Sequence, residues 1–132
     1  RAYQACDSGG RQLGWVLPAT GQGFVDRIEL LIGLDVDLTR ITGLYVLDQK
    51  ETPGLGDHIR DDDFAARFQN APVEPPLQVV KSEAGGAGEI RAVSGATVSS
   101  WAVCEIVNKT IAELREPLLR ELQSVRPSGV SQ

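Results

Sequence analysis

The segment Ser94-Gly95-Ala96-Thr97-Val98-Ser99-Ser100 sets small hydroxyl residues beside a glycine and leads straight into a helical pattern. The first N–H groups of a helix have no intrahelical acceptor and the dipole makes that end positive, so such a segment suits an anion, a phosphate in particular. Ser94, Thr97 and Ser99 are equally good helix caps, and the local pattern leaves both readings open. A second segment, Glu51-Thr52-Pro53-Gly54-Leu55-Gly56, must be non-regular, because Pro53 lacks an N–H and restricts Thr52, while the two glycines favour unusual dihedrals. His58 is the single imidazole. A Ser/His/Asp hydrolase would have to use it, yet no G-x-S-x-G elbow is present, so His58 reads as a loop residue. Asp61-Asp62-Asp63 offers oxygen ligands to a divalent cation, but an acidic helix start accounts for the same run. One histidine and two cysteines cannot build a zinc cage on their own. No catalytic residue and no metal site is assigned.

The elements that must position these segments change period along the chain. Leu13 to Leu17 reads as a short strand closed by Pro18 and a turn at Thr20-Gly21-Gln22-Gly23. Phe24 to Leu34 and Ile41 to Leu47 are β-branched and aliphatic runs joined by a polar segment at Asp35-Val36-Asp37, the pattern of an antiparallel hairpin. Ile28, Leu30 and Ile32 fall on one face, Glu29 and Leu31 on the other. Asp61 to Asn70 reads as a helix with Phe64 and Phe68 one turn apart. Ala71 to Pro76 is a rigid connector; Leu77–Lys81 and Glu89–Val93 are short strands around a Gly-rich turn at Ser82–Gly88. From Thr97, the residues Val103, Ile106, Val107, Ile111 and Leu114 recur at helical spacing, with Pro117 expected to end or kink the helix. Trp15 and Trp101 read as core residues more readily than as stacking platforms, and Trp101, four residues after Thr97, is the better placed of the two to face the cofactor region. The fold class is α+β: a twisted, mostly antiparallel sheet with one principal C-terminal helix packed on it, plus short helices. Residues 1–122 form a single domain and 123–132 a frayed polar tail.

Composition excludes several classes. The chain has 132 residues with 13 Lys+Arg against 18 Asp+Glu, a formal net charge of −5, and no basic cluster that would grip nucleic acid. No apolar run approaches the ~18 residues of a membrane span. The sequence contains no methionine, so Arg1 is expected to follow a processing boundary upstream. Cys6 and Cys104 could pair under oxidising conditions, although a buried free thiol at Cys104 fits its apolar helical setting as well.

The segment SGATVSS, followed by a helix with Val103, Val107 and Asn108, resembles the flavinylation motif of the FMN-binding domain family. That family includes the G component of Rnf-type electron-transport complexes and the C component of the sodium-translocating NADH:quinone reductase. Gly21-Gln22-Gly23-Phe24-Val25-Asp26-Arg27-Ile28 and Glu51-Thr52-Pro53-Gly54-Leu55-Gly56 match in the same order, so the resemblance runs from about Gly14 to Leu114. It implies FMN linked to Thr97 as a phosphoester by a separate flavin transferase. Ser94, Gly95, Ala96, Val98, Ser99 and Ser100 would surround the phosphate; Glu51, Thr52, Pro53, Gly54, Leu55 and Gly56 would line the flavin, the alternative being a structural turn with a satisfied Glu51. Within that frame Ser94, Ser99 and Ser100 either bond phosphate oxygens or cap the helix. It also implies electron transfer between redox partners in a membrane complex, with an N-terminal membrane helix outside this sequence holding the domain on the extracytoplasmic face. A noncovalent FMN or phosphate-ligand module and a cofactor-less structural protein of such a complex are the alternatives. Two positions depart from the family pattern: Arg91 stands where an acidic residue is common, six positions before Thr97, and would either weaken or alter transferase recognition or pair with the flavin phosphate, and Asp26 stands where relatives often have glycine.

Overall fold

The structure, a computed structural model, describes residues 2–81 and 86–130, with side chains as far as residue 120. Four strands, β1 (Tyr3–Cys6), β2 (Gln12–Gln22), β3 (Arg27–Leu34) and β4 (Ile41–Asp48), form an antiparallel sheet in the order β1-β2-β3-β4. A 3-10 turn at Gly56–Arg60 and the short helix α1 (Asp62–Ala66) follow. The strands β5 (Gln78–Val80) and β6 (Glu89–Arg91) pair in parallel as a separate two-stranded sheet, and α2 (Thr97–Val130) closes the chain.

The alternation in β3 sets the core. Ile28, Leu30, Ile32 and Leu34 are all buried, and the register Ala19↔Leu30↔Val46 and Leu17↔Ile32↔Leu44 continues that face across its neighbours. Helix α2 lays Val103, Ile106, Val107 and Ile111 against it, each fully buried aliphatic side chain contributing about 1.5–3 kcal/mol. Phe64 and Phe68 are fully buried and meet edge to face at 5.2 Å between centroids. Between β3 and β4 the Asp35 carboxylate accepts the Thr39 N–H at 2.8 Å, the Thr39 hydroxyl at 2.8 Å and the Arg40 N–H at 3.2 Å. Asn108 exchanges two hydrogen bonds with the Leu77 backbone, at 2.8 and 3.0 Å, and so fixes the entry to β5 from the helix.

Several expected boundaries move. β2 runs through Pro18 to Gln22, because Pro18 lies in register with Leu31 without ending the apolar alternation of Leu17 and Ala19. β1 was not expected from the sequence, since Tyr3–Cys6 is largely exposed and shows no apolar alternation. Phe24, Val25 and Asp26 form a loop rather than the start of β3. The helix around Phe64 is only Asp62–Ala66, with turns continuing to Asn70, whose φ of 66° ends it. Helix α2 continues past Pro117 to Val130 instead of stopping at the proline. Pro117 and Glu113 are both exposed, so the carbonyl released by the missing N–H faces solvent while Leu118 still packs inward. Cys6 is exposed and Cys104 buried, and both are free thiols. Of the Gly-rich turn, residues 82–85 lie outside the described part.

Candidate functional site

The three segments singled out in the sequence converge on one buried carboxylate. Glu51 is 3% exposed. Its Oε1 accepts the Phe24 N–H at 2.9 Å and the Ser99 hydroxyl at 2.5 Å, and its Oε2 accepts the Val25 N–H at 3.0 Å. Burial pushes the Glu51 carboxyl up, but the Ser99 hydroxyl and the N–H groups of Val25, Phe24 and Asp26 outweigh it and hold the group below the ordinary glutamate range. An ionised Glu51 thus staples the 24–25 loop to the first turn of α2.

The loop carrying Glu51 is closed on itself. Thr52 accepts the Leu55 N–H at 3.0 Å and the Asp57 N–H at 3.3 Å through its carbonyl, and Asp57 Oδ1 accepts the Gly54 N–H at 2.9 Å. Gly56 passes so close to the helix that a Cβ there would lie 2.6 Å from Ser99 Oγ and 2.8 Å from Glu51 Cβ. Ahead of α2, Val93 to Ala96 form a tight turn, with the Ala96 N–H donating to the Val93 carbonyl at 2.9 Å and Gly95 at φ 81°. Ser100 locks that turn from inside: its hydroxyl donates to the Ala96 carbonyl at 2.7 Å and accepts the Val93 N–H at 3.1 Å. The hydroxyls of Ser99 and Ser100 therefore have protein partners and shape the site from behind.

In front of this framework is an open cleft of about 290 Å³. Thr52, Leu55 and Gly56 line it from the loop; Gly95, Ala96, Thr97, Val98 and Ser99 line it from the turn and helix start; Phe24 completes it. Thr97 is the first residue of α2 and half-buried, at the helix end whose first-turn N–H groups have no intrahelical acceptor. Phe24, Leu55 and Val98, all exposed large apolar side chains, share this one cleft with Thr97, and Trp101, which does not line it, is exposed as well.

The structure places Glu51, Pro53, Gly54, Ser94 and Ser100 outside the cleft lining, with Glu51 and Ser100 buried. Trp15 is in the core, whereas Trp101 is 55% exposed because its position on α2 faces away from the sheet. His58 is also outside the lining: its Nδ1 is 2.9 Å from Asp61 Oδ2, and that contact raises its pKa despite desolvation. Asp63 pairs with Arg67 at 2.7 Å, so the acidic run has local partners at both ends. Phe24 was missed as a site residue. From sequence it stands at the head of the apolar run Phe24 to Leu34, and its one distinguishing signal is its place directly after Gly21-Gln22-Gly23.

A family model described as FMN-binding domain matches residues 23–112. The chain is 35% identical over 109 residues to the G component of the ion-translocating oxidoreductase complex of Methanosarcina acetivorans, covering 83% of this chain and 55% of that protein. It is 30% identical over 112 residues to the G component of the proton-translocating ferredoxin:NAD(+) oxidoreductase complex of Clostridium ljungdahlii, covering 85% of this chain and 59% of the relative. Among solved structures, NqrC of Shewanella oneidensis superposes with a TM-score of 0.74 at 24% identity, covering 84% of this chain and 54% of that one, and shares the fold. The chain spans about half the length of the curated relatives it matches.

Proposed function

The chain belongs to the FMN-binding domain family, and on that premise we propose that it is an electron-transfer flavoprotein domain carrying FMN in phosphoester linkage to Thr97. The observation that carries this reading is Thr97 itself, a half-buried hydroxyl at the start of α2 on the lining of a cleft that pairs helix-start N–H groups with apolar surface. The residues present fit the group. Backbone is bare at Gly56 and Gly95, where side chains would crowd Ser99 and Leu55, and Phe24, Leu55 and Val98 offer apolar faces to a flat ring.

Thr97 would supply the ester oxygen: a flavin transferase would form its O–P bond from a flavin dinucleotide, breaking the pyrophosphate P–O bond, with the nucleoside monophosphate as leaving group and the Thr97 proton passing to solvent. The N–H groups of Thr97, Val98 and Ser99 would hold the remaining phosphate charge. Gly95 and Ala96 keep bulk away from that approach, and Ser94 stands at its edge. Thr52, Leu55 and Gly56 would border the ring, while Pro53, Gly54 and Glu51 keep that loop in shape. Bound FMN takes up and releases electrons reversibly, and the protein tunes it by charge and hydrogen bonding near the ring. The Glu51 carboxylate, bonded to Ser99 of the cleft, is one such fixed charge.

The names of the relatives support a wider reading, in which the partners are the other proteins of a membrane-bound electron-transport complex. The domain would sit on the extracytoplasmic face, held by a membrane anchor. Among the described residues no helix is long and apolar enough to cross a membrane.

Co-expression with a flavin transferase from the same source, followed by denaturation, intact mass and visible spectrum, tests the assignment. One FMN retained and mapped to Thr97, and absent from a folded Thr97→Ala variant, is the expected result. Flavin released on denaturation would leave a noncovalent module, and a colourless protein of unmodified mass would refute the flavin reading.

A further inference from the structure

A second concavity, of about 420 Å³, shares Gly95 and Thr97 with the cleft. Its chemistry is different. Arg67, Lys81 and Arg91 line it together with Ser94, and among the described residues no carboxylate does. In a chain with a formal net charge of −5, this is a local reversal of sign. Arg67 is held in place: Nη1 donates to the Arg91 carbonyl and Nη2 to Asp63 Oδ2, both at 2.7 Å. Asp63 therefore offsets one of the charges and Arg67 fixes the end of β6. Arg91 is exposed, and among the described residues no ion-pair partner faces its guanidinium.

We propose that this basic concavity is an anion subsite for the flavin phosphate, with Arg91 as the counter-ion and Arg67 as the residue that positions the strand end bearing it. The inference rests on the flavin-domain reading and deepens it. Thr97 stands where the two concavities meet, one apolar and one basic, which is the division a flavin phosphate presents: a flat ring at one end and a dispersed negative charge at the other. A phosphate esterified at the Thr97 oxygen keeps an ionised oxygen that needs a partner. The helix-start N–H groups supply part of that, and a guanidinium supplies directional donors with full charge. The acid-to-base departure at Arg91 thereby gains a specific role. Lys81 adds charge at the rim.

The test uses the full chain produced without a transferase, so that Thr97 is unmodified, titrated with FMN, riboflavin and inorganic phosphate and followed by amide NMR shifts. FMN and inorganic phosphate are expected to shift the Gly95, Thr97 and Arg91 amides, and riboflavin is expected to leave Arg91 unmoved. FMN should bind about three- to fivefold more tightly than riboflavin, the range expected for an exposed charge contact. Arg91→Gln should remove that preference while riboflavin affinity and the folded spectrum stay unchanged. Equal affinity for the two flavins, absence of binding by either, or equal losses for both in Arg91→Gln would overturn the subsite. Its failure is separable from that of the covalent reading. Flavin mapped to Thr97 with no FMN preference removes only the subsite; FMN preference without attachment removes only the linkage.

Discussion

Glu51→Gln tests the framework most directly, since it keeps shape and removes charge. The carboxylate accepts the N–H groups of Phe24 and Val25 and the Ser99 hydroxyl at 2.9, 3.0 and 2.5 Å, with the Asp26 N–H adding to its stabilisation. Glutamine offers one carbonyl oxygen, and its NH2 group must point toward at least one of those donors. A hydrogen bond to a charged group contributes about 1.5–3 kcal/mol, and a buried donor left without an acceptor costs about 1–3 kcal/mol. These figures overlap, so the net loss should be about 2–4 kcal/mol, or roughly 10 °C in Tm for a domain of this size. Urea unfolding at pH 7, followed by the fluorescence of buried Trp15, measures it. Ser99→Ala removes a single donor and should cost about 1 kcal/mol. The double variant should lose less than the sum, because both changes break the same bond. The pH dependence has a defined sign. The folded pKa of Glu51 is lowered, so its stabilisation is present above the unfolded value of about 4.3 and is lost as pH falls through the folded one. The gap between wild type and Glu51→Gln should therefore close on acidification below about pH 4. A Gln variant within about 0.5 kcal/mol of wild type at pH 7 would refute the staple.

Gly95→Ala forces an L side chain to φ 81° and should cost about 1–2 kcal/mol in thermal or urea unfolding; an unchanged midpoint would mean the turn relaxes freely. Gly56→Ala pushes a Cβ to 2.6 Å from Ser99 Oγ and should destabilise by about 1–3 kcal/mol while narrowing the cleft, read as lower flavin loading per folded chain. Native protein should expose one thiol to a colorimetric disulfide reagent and denatured protein two, because Cys6 is exposed whereas Cys104 is buried with its thiol pKa pushed up to about 12. Two fast-reacting native thiols would contradict the packing of α2. His58 keeps its charge to a higher pH than a free imidazole through Asp61, so any stabilisation from the contact is present below about pH 6.5 and disappears as pH rises through the folded value. His58→Asn should accordingly differ from wild type in Tm only on the acidic side.

What could be read in the sequence and what could not divide along a physical line. The alternation at Ile28, Leu30 and Ile32 and the helical spacing of Val103, Val107 and Ile111 announce burial directly, because period and burial have the same geometric origin. Phe64 and Phe68 were legible for the same reason. Pro18 and Pro117 misled, since a proline ends an element only where the lost N–H matters, and at Pro117 the freed carbonyl faces solvent. Glu51 reads from sequence either as a flavin contact or as a satisfied glutamate in a structural turn, and its partners were beyond reach because they lie 26, 27 and 48 residues away. For Ser99 and Ser100 the sequence leaves phosphate bonding and helix capping equally open, and only the structure traces their hydroxyls to Glu51 and Ala96. Arg67 and Lys81 gave no signal at all, because β6 and the α1 region meet only in three dimensions.

The shape of the cleft bears on why a covalent bond would be useful here. A site that retains a cofactor by contacts alone usually buries about 70–90% of it. The cleft beside Thr97 holds about 290 Å³, is open to solvent, and has walls in which Phe24 and Leu55 are themselves 67% and 50% exposed. Such walls can orient a flat ring but give little residence time. A tether changes that requirement, because it makes the second contact intramolecular, at an effective concentration of the order of mM or more. Weak apolar contacts then suffice to set orientation, and the ring edge stays accessible to a redox partner. The same logic explains the uneven stiffness of the site. The Glu51–Ser99–Ser100 framework behind it is buried and hydrogen-bonded throughout, while the face toward solvent is left apolar and open. Rigidity is concentrated where the proposed attachment oxygen would have to be held, and exposure where electrons would enter and leave.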